Sequence, residues 1–245
     1  MSQWLRSLLF TTFMFAWTGI YAVFFVIVAP WLPMDQRFAL VRFYARRILD
    51  GASVMVGLSF SVTGLENLPP QAHVAYWKHA SAWETFAQFL VGPSKVIVLK
   101  RELMFIPFFG WGLALIGAIP VQRGAGASAV NQVVQHGVRR LQQGLSVLIF
   151  PEGTRTRAGE TRRYGVGGAL LAARAQCKVV PIAHDAAYYW PRRGLLKRAG
   201  VIRVVIGSPI DATGLEPREI NERAQTWIEA TIREIREQAA CERPR

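Results

Sequence analysis

A histidine and an acidic residue stand close together in the segment His79-Ala80-Ser81-Ala82-Trp83-Glu84. Residues at this spacing cannot share a face of an uninterrupted helix, because they are rotated by roughly 140° at about 3.6 residues per turn. The apolar run 74–77 before them predicts a strand, and Ser81 with Glu84 matches a capping box at a helix start. We therefore predict that His79 lies in a strand-to-helix turn, where Glu84 holds one ring nitrogen protonated and leaves the other as a base. A loop histidine beside an acid that only caps the helix is the alternative interpretation.

A second segment whose residues could bind a ligand is Phe150-Pro151-Glu152-Gly153-Thr154-Arg155, which directly follows an apolar, strand-like run. A turn at the carboxyl end of such a strand lies at the edge of the sheet where α/β proteins bind ligands. There Gly153, with Thr154 beside it, would let the backbone approach a phosphate, and Arg155 would present a two-pronged charged donor. Glu152 is expected to brace the loop rather than to transfer protons. The segment predicts an anion site; a strand-ending turn with a solvated arginine is the alternative interpretation.

More basic residues follow this segment, and the histidines elsewhere suggest no metal chemistry. The basic residues are Arg157, Arg162 and Arg163, with a second basic and aromatic group at 188–198. A solvated basic face near anionic headgroups is the simplest account, although such composition also suits nucleic acid. The other histidines are interpreted as structural or surface groups: His73, His136 and His184. No H-E-x-x-H pattern and no Cys/His cluster predicts a metal site.

The bulk composition favours one large catalytic domain with an anionic partner. The chain has 245 residues, with 29 Lys and Arg against 16 Asp and Glu, which leaves a net charge of +13. Such a balance suits nucleic acid, a phospholipid surface or phosphorylated substrates, and charge alone does not choose among them. The two cysteines, Cys177 and Cys241, imply no disulfide framework and fit a reducing compartment.

The N-terminal region predicts association with a membrane. No charged residue occurs from Ser7 to Met34, and the run 7–29 is long enough to cross a bilayer once; a monotopic hairpin is the rival interpretation. The next segment sets five apolar residues on one helical face, which predicts an interfacial helix: Phe38, Val41, Ala45, Ile48 and Leu49. Arginines crowd the C-terminal side of the apolar run, which predicts that the remaining chain lies in the cytoplasm.

The elements that position these segments follow from the alternation of short apolar runs with helical stretches. The runs predicted as strands are 54–62, 74–77, 95–99, 115–121, 146–150, 179–183 and 201–206. This order predicts an α/β fold with a mostly parallel central sheet flanked by helices. We divide the chain into membrane-associated helices at 1–50 and a catalytic domain at 51–245. From Pro217 a long amphipathic helix is expected to pack against the sheet.

Taken in order, the motifs resemble those of the 1-acylglycerol-3-phosphate acyltransferase family of bacterial type, in the glycerolipid acyltransferase superfamily, over residues 50–215. The family's first motif, His-x4-Asp, is His79 to Glu84 here, with Glu in place of the commoner Asp. The other three are Lys100-Arg101-Glu102-Leu103 with Pro107 and Gly110 downstream, then Phe150 to Arg155, then the apolar run 179–182 with Pro181. Many members carry a lysine where this chain has 164–167, so Arg162 or Arg163 would have to substitute for it.

The resemblance implies an enzyme that transfers an acyl chain from acyl-CoA or acyl carrier protein to the sn-2 hydroxyl of lysophosphatidic acid, without a cofactor. His79 would be the general base oriented by Glu84, while Arg155, Gly153 and Lys100 would hold the acceptor's phosphate. The partners it implies are an anionic phospholipid membrane, the lysolipid and the acyl donor. The expected location is the inner membrane, with the active domain on its cytoplasmic face.

Two other interpretations remain open. One keeps the chemistry but changes the acceptor to another lysolipid, as in ornithine-lipid synthesis or lysophospholipid remodelling. The other is a basic, membrane-associated binding protein without catalysis, for example for nucleic acid. It accounts for the charge but leaves all four motifs as coincidence, and we therefore expect no nucleic-acid partner.

Overall fold

The computed structural model describes residues 1–122 and 124–241, in which helices flank both faces of an eight-stranded sheet. The strands are β1 Leu58–Thr63, β2 Val74–Trp77, β3 Lys95–Lys100, β4 Ile119–Val121, β5 Ser146–Ile149, β6 Lys178–His184, β7 Gly200–Ile206 and β8 Ile210–Asp211. The α-helices are α1 Gln3–Val28, α2 Met34–Gly51, α3 Glu84–Ala87, α4 Phe109–Leu115, α5 Ala127–Gln142, α6 Gly167–Ala175 and α7 Pro217–Cys241.

The sheet is mostly parallel, which confirms the predicted fold class. Its strand order is β1-β7-β6-β2-β5-β3-β4, with β8 paired to β6. The pairs that β6 makes with β7 and β8 are antiparallel, and the remaining pairs are parallel. The central strands β2, β3 and β5 therefore end at one edge of the sheet, and the segments after them meet there.

A core lies on each face of the sheet because the central strands are buried on both sides. In β2, Val74 and Tyr76 point into one core, while Ala75 and Trp77 point into the other. The first core is closed by α5, α6 and α7 with the C-terminal half of α1 and the N-terminal half of α2. The second is closed by α3, by the N-terminal half of α1 and by the C-terminal half of α2. Burial on both faces explains why these strands are continuous apolar runs rather than alternating ones.

The apolar face of α2 is buried in the protein, so the prediction that it contacts a membrane interface was wrong. Phe38, Ala45 and Ile48 are each at most 1% exposed. Helical periodicity correctly predicted the apolar face, but the same face suits a bilayer or a neighbouring protein surface. Here it packs against the two cores, beside residues of the sheet.

Two predicted strands begin later than their apolar runs. Residues Ala52–Val56 continue α2 as a π-helical turn, which ends at Gly57 with φ of 75°, and β1 starts only afterwards. Likewise Leu115 ends α4, and β4 starts at Ile119. The apolar character of these runs predicted strands, but packing of the preceding helices determines where each strand starts.

The long C-terminal helix packs as predicted. Its buried residues include Ile220, Ala224, Ile228 and Ile232, which lie in the same core as the inner faces of the central strands. The amphipathic pattern therefore correctly predicted a helix that covers the sheet.

Candidate active site

His79 lies in the turn after β2, in contact with the carboxylate of Glu84. The His79 ring nitrogen Nδ1 is 2.9 Å from Glu84 Oε1. The same oxygen accepts the backbone N–H groups of Ala80, at 2.9 Å, and Ser81, at 2.8 Å. Glu84 is fully buried, so the turn folds around its carboxylate.

The contact with Glu84 determines which nitrogen of His79 can act as a base. An ionised carboxylate only accepts hydrogen bonds, so Nδ1 carries the proton and Nε2 keeps a free lone pair. Within residues 1–122 and 124–241, Nε2 has no hydrogen-bond partner, and the side chain remains 10% exposed. The ring stacks on Phe150 with centroids 4.0 Å apart and planes 16° from parallel. Nε2 is therefore free to accept a proton, which is the capability that a general base requires.

The environment keeps Glu84 ionised. Burial by itself raises its pKa, but hydrogen bonds from His79 and from the Ser81 N–H stabilise the charged form, and the pKa lies below its ordinary value. Glu84 can therefore stabilise the positive charge that His79 gains when it takes a proton.

The capping interpretation of this turn was half wrong. The helix starts at Glu84 itself, with Trp83 rather than Ser81 before it, and the Ser81 hydroxyl accepts the Trp83 N–H at 3.1 Å. Glu84 does reach back to the Ser81 N–H, as in a capping box. The same carboxylate oxygen also contacts the His79 ring, a contact that a standard capping box lacks.

His184, which sequence reasoning treated as an ordinary structural or surface histidine, lies beside the candidate site. It is 1% exposed, its Nε2 donates to the Lys78 carbonyl at 2.9 Å, and its Nδ1 accepts the Ala186 N–H at 3.2 Å. Burial lowers its pKa, which keeps it neutral. Nε2 is also 4.0 Å from Glu84 Oε2, a buried oxygen without a hydrogen-bond partner among the described residues.

Pairing of β6 with β2 brings His184 to this position. Residue Trp77 is in register with Ile182, so the end of β6 lies next to the turn that carries His79. The sequence could have suggested this only through the strand order, because His184 lies two residues after the fourth motif but far along the chain from His79. Pro181 is buried in β6 beside Tyr76 and supports the sheet without reaching the site surface.

The loop after β5 is fastened to the His79 turn. Thr156 donates to the His79 carbonyl through its N–H, at 2.8 Å, and through its hydroxyl, at 3.1 Å. Glu152 Oε1 accepts the His79 N–H at 3.3 Å, in agreement with the bracing role expected for this residue. Burial raises the pKa of Glu152 to about 7, although the charge of Lys78 nearby opposes the shift.

A pocket of about 520 Å³ lies beside the same loop. Its walls include Gly153, Thr154 and Arg162, together with residues 165–168 at the start of α6. Gly153 is exposed and has φ of 68°, a conformation that favours glycine. The rest of the lining is largely apolar: Val121, Val130, Val133, Ile149, Phe150 and Val166.

The predicted cationic residues are distributed around this edge of the sheet. Arg155 does not line the pocket and makes no hydrogen bond or ion pair with the described residues, and neither does Arg163. Lys100 ends β3 at the same edge and pairs with Glu102 at 3.1 Å, and Arg101 starts the 3₁₀ helix that follows. These residues therefore lie at one edge of the sheet, but the sequence did not distinguish Arg162, which lines the pocket, from Arg155, which does not.

No group of three or more His, Cys, Asp or Glu side chains is arranged to hold a metal ion within the described part of the chain. Cys177 and Cys241 are both free, and burial raises the pKa of the Cys177 thiol to about 11. A thiol with so high a pKa is a weak nucleophile at neutral pH.

Comparison with known proteins agrees with this architecture. The family model for acyltransferases matches residues 59–185. A 1-acyl-sn-glycerol-3-phosphate acyltransferase of Pseudomonas aeruginosa is 40% identical over 95% of this chain and 92% of that protein. A chloroplastic 1-acyl-sn-glycerol-3-phosphate acyltransferase of Arabidopsis thaliana is 29% identical over 68% of this chain, which spans 48% of that protein.

The fold has a solved counterpart. The crystal structure of a 1-acyl-sn-glycerophosphate acyltransferase from Thermotoga maritima superimposes with a TM-score of 0.80 at 20% identity, over 96% of this chain and 98% of that one. The matched family model and the full-length bacterial relative define this protein as an acyltransferase enzyme. The chain belongs to the bacterial 1-acyl-sn-glycerol-3-phosphate acyltransferase family, as its motifs predicted.

Proposed function

We propose that this enzyme transfers an acyl chain from a thioester donor, acyl-CoA or acyl carrier protein, to the sn-2 hydroxyl of 1-acylglycerol-3-phosphate, which yields phosphatidic acid. The observation that carries the proposal is the His79 ring, whose Nδ1 is held by buried Glu84 while Nε2 has no partner among the described residues. The acceptor is inferred from the names of relatives such as the Pseudomonas enzyme.

In the proposed reaction His79 Nε2 takes the proton of the sn-2 hydroxyl as its oxygen attacks the thioester carbonyl carbon. The tetrahedral intermediate then collapses, the carbon–sulfur bond breaks, and the departing thiolate receives the proton from His79. The negative charge of Glu84 stabilises the imidazolium between these steps. A thioester is already an activated acyl donor, so we propose that neither a cofactor nor an acyl-enzyme takes part.

The acceptor's phosphate is proposed to bind in the pocket beside the loop after β5. Arg162 lines this pocket with Gly153 and Thr154, and no side chain among residues 1–122 and 124–241 caps the N-terminus of α6 at Gly167. Uncapped backbone N–H groups and a guanidinium favour an anion. This supports Arg162 as the substitute for the family's lysine, with Arg155 and Lys100 assisting from outside the pocket.

We propose that the protein binds a membrane from one side rather than crossing it. By length and composition the helical segment Gln3–Trp31 could span a bilayer. Near its start, however, Gln3 donates to the carbonyls of Val56 and Lys197, and near its end Phe25 is buried among domain residues. A helix fastened to one domain at both ends cannot place that domain on one side and its own start on the other.

One apolar surface is available to enter the bilayer. We define the membrane face as nine exposed apolar residues of α1, of the 3₁₀ turn Ala29–Trp31 after it and of the segment 105–111. The segment lies at the start of α4, which approaches α1 where Gly112 meets Phe25. The members of the membrane face are Phe15, Ile20, Phe24, Ile27, Trp31, Phe105, Ile106, Phe108 and Trp111. An anionic membrane would also attract the net charge of +13. We propose the cytoplasmic face of the inner membrane as its location.

The experiment that tests the function is an assay of the purified enzyme with lysophosphatidic acid and a panel of acyl-CoA and acyl carrier protein donors. Wild type should produce phosphatidic acid, and His79→Ala should lose transfer while it still binds vesicles. His136→Ala, a change at a histidine outside the site, is the matched control. Retained transfer in His79→Ala would disprove the mechanism, and preference for lysolipids without a phosphomonoester would disprove the proposed acceptor.

A further inference from the structure

A row of polar side chains on α7 holds the segment that carries Arg162. Asn221, Gln225 and Glu229 are spaced by four residues and therefore lie along one line of the helix. We call them the α7 polar row. Asn221 Nδ2 donates to the Gly165 carbonyl at 3.2 Å, and Gln225 Nε2 donates to the Arg162 carbonyl at 3.1 Å. Glu229 Oε2 accepts the Thr161 hydroxyl at 3.2 Å.

The same row reaches β2 and the residue before His79. The Tyr76 hydroxyl donates to Asn221 Oδ1 at 2.8 Å, inside the core. Lys78 Nζ is 2.5 Å from Glu229 Oε1, and the Lys78 side chain is only 5% exposed. The row thus joins the two parts of the site, the end of β2 and the pocket wall at 161–165, which lie far apart in sequence.

Lys78 is shared between two carboxylates at unequal distances. Its Nζ is 2.5 Å from Glu229 Oε1 but 3.5 Å from Glu152 Oε1, and it also donates to the Glu160 carbonyl at 3.3 Å. Glu152 is the residue whose Oε1 accepts the His79 N–H. A buried ammonium without Glu229 would be drawn toward its remaining carboxylate, and Glu152 would then be pulled from the His79 turn.

We propose that Glu229 is a positioning residue of this acyltransferase. It holds Lys78 away from Glu152. Together with Gln225 it also fixes the position of segment 161–165, and thereby the position from which Arg162 contacts the acceptor's phosphate. The inference rests on the proposed function in assigning the phosphate to Arg162. α7 lies beyond the residues 59–185 that match the family model, and its sequence pattern suggested only packing.

The test replaces Glu229 by Gln, which keeps the shape but removes the charge. The Michaelis constants for acceptor and donor are measured separately, with kcat, on enzyme in vesicles. The acceptor KM should rise roughly tenfold, since a half-buried, hydrogen-bonded charge is lost, while the donor KM stays near wild type. Glu229→Asp, which retains the charge, should recover part of the loss. Glu234→Gln, an exposed position on the same helix, is the matched control.

A milder variant keeps the test decisive if Glu229→Gln fails to fold. Gln225→Ala removes one hydrogen bond to the Arg162 carbonyl at a half-buried position, and the acceptor KM should rise in the same direction by a smaller factor. An unchanged acceptor KM in the folded variants, or an equal rise in the donor KM, would overturn the proposal. The acceptor preference of wild type tests the proposed function, and the change of acceptor KM in the variants tests the role of Glu229. If wild type prefers another lysolipid, the variants are measured with that lipid as acceptor, so the two proposals can fail separately.

Discussion

Glu84 accepts three hydrogen bonds on one oxygen, one from the His79 ring and two from the backbone N–H groups of Ala80 and Ser81. The two backbone bonds fold the turn, and the third orients the proposed base. One carboxylate therefore links the local fold to the chemistry. Because all the partners lie within a single turn, the sequence segment was sufficient to predict this contact.

The first prediction separates the two effects of that carboxylate. In Glu84→Gln the amide oxygen can still accept backbone N–H groups, but it cannot stabilise an imidazolium or fix the tautomer of His79. We expect kcat to fall roughly 100- to 10,000-fold, while the free energy of unfolding falls by only about 1–3 kcal/mol. Steady-state kinetics and urea unfolding in detergent measure the two quantities. Glu66→Gln, at an exposed residue, is the control, and a kcat close to wild type would exclude the orienting role.

A second prediction concerns Glu152, whose pKa burial raises to about 7 from 4.5. Below pH 4.5 the carboxyl is protonated in both the folded and the unfolded state. Between pH 4.5 and 7 it ionises in the unfolded chain first, so the folded state binds more protons and its stability falls as pH rises. Above pH 7 the carboxyl is ionised in both states, and the stability falls no further.

Glu152→Gln does not titrate and therefore lacks this dependence. The unfolding free energy of wild type minus that of the variant should fall by about 3 kcal/mol between pH 4.5 and 7 and level off above. Urea unfolding in detergent across this pH range gives the difference. A difference that is constant or that rises with pH would show that Lys78 compensates the charge fully.

At the scale of elements, the start of α6, which lines the pocket, packs closely against Tyr76 of β2. A Cβ on Gly168 would lie 2.6 Å from the Tyr76 hydroxyl oxygen and 2.4 Å from the ring carbon Cε1. Tyr76 is fully buried and hydrogen-bonded to Asn221, so it has no room to move. The sequence showed glycines at 165, 167 and 168, but only the packing of α6 on β2 shows that the one at 168 is sterically required.

The third prediction follows from this contact. Gly168→Ala should lose about 1–3 kcal/mol of unfolding free energy, because overpacking displaces α6 or Tyr76. Gly19→Ala is the matched control: it lies in a helix, nothing is within 4 Å of its added Cβ, and it should gain about 0.5–1 kcal/mol. Urea unfolding of both variants tests this, and equal stabilities would mean that α6 adjusts without cost.

At the scale of the whole molecule, the net charge of +13 and the membrane face favour the same partner, an anionic bilayer. Trp31 is 87% exposed and Phe105 is 70% exposed, values that are costly for aromatic residues in water. Both lie in the membrane face, Trp31 in the 3₁₀ turn after α1 and Phe105 before α4.

The fourth prediction is that Trp31→Ser with Phe105→Ser weakens partition onto anionic vesicles by roughly tenfold or more, because two aromatic side chains no longer leave water. Raising the salt concentration should weaken binding of both proteins through screening. Vesicle sedimentation measures the partition, with Leu65→Ser, at an exposed apolar residue outside the membrane face, as control. Unchanged partition of the double variant would place the membrane contact elsewhere.

The sequence by itself determined what depends on neighbouring residues: the His79 and Glu84 pair, the apolar strands, the loop at 150–155 and the faces of α2 and α7. Only the tertiary structure decided that α2 is covered by protein, that Arg162 rather than Arg155 lines the pocket, and that His184 and Glu229 adjoin the site. The reason is physical. Parallel strands are joined by crossovers, so residues distant in sequence meet at one sheet edge, and periodicity predicts an apolar face without identifying its partner.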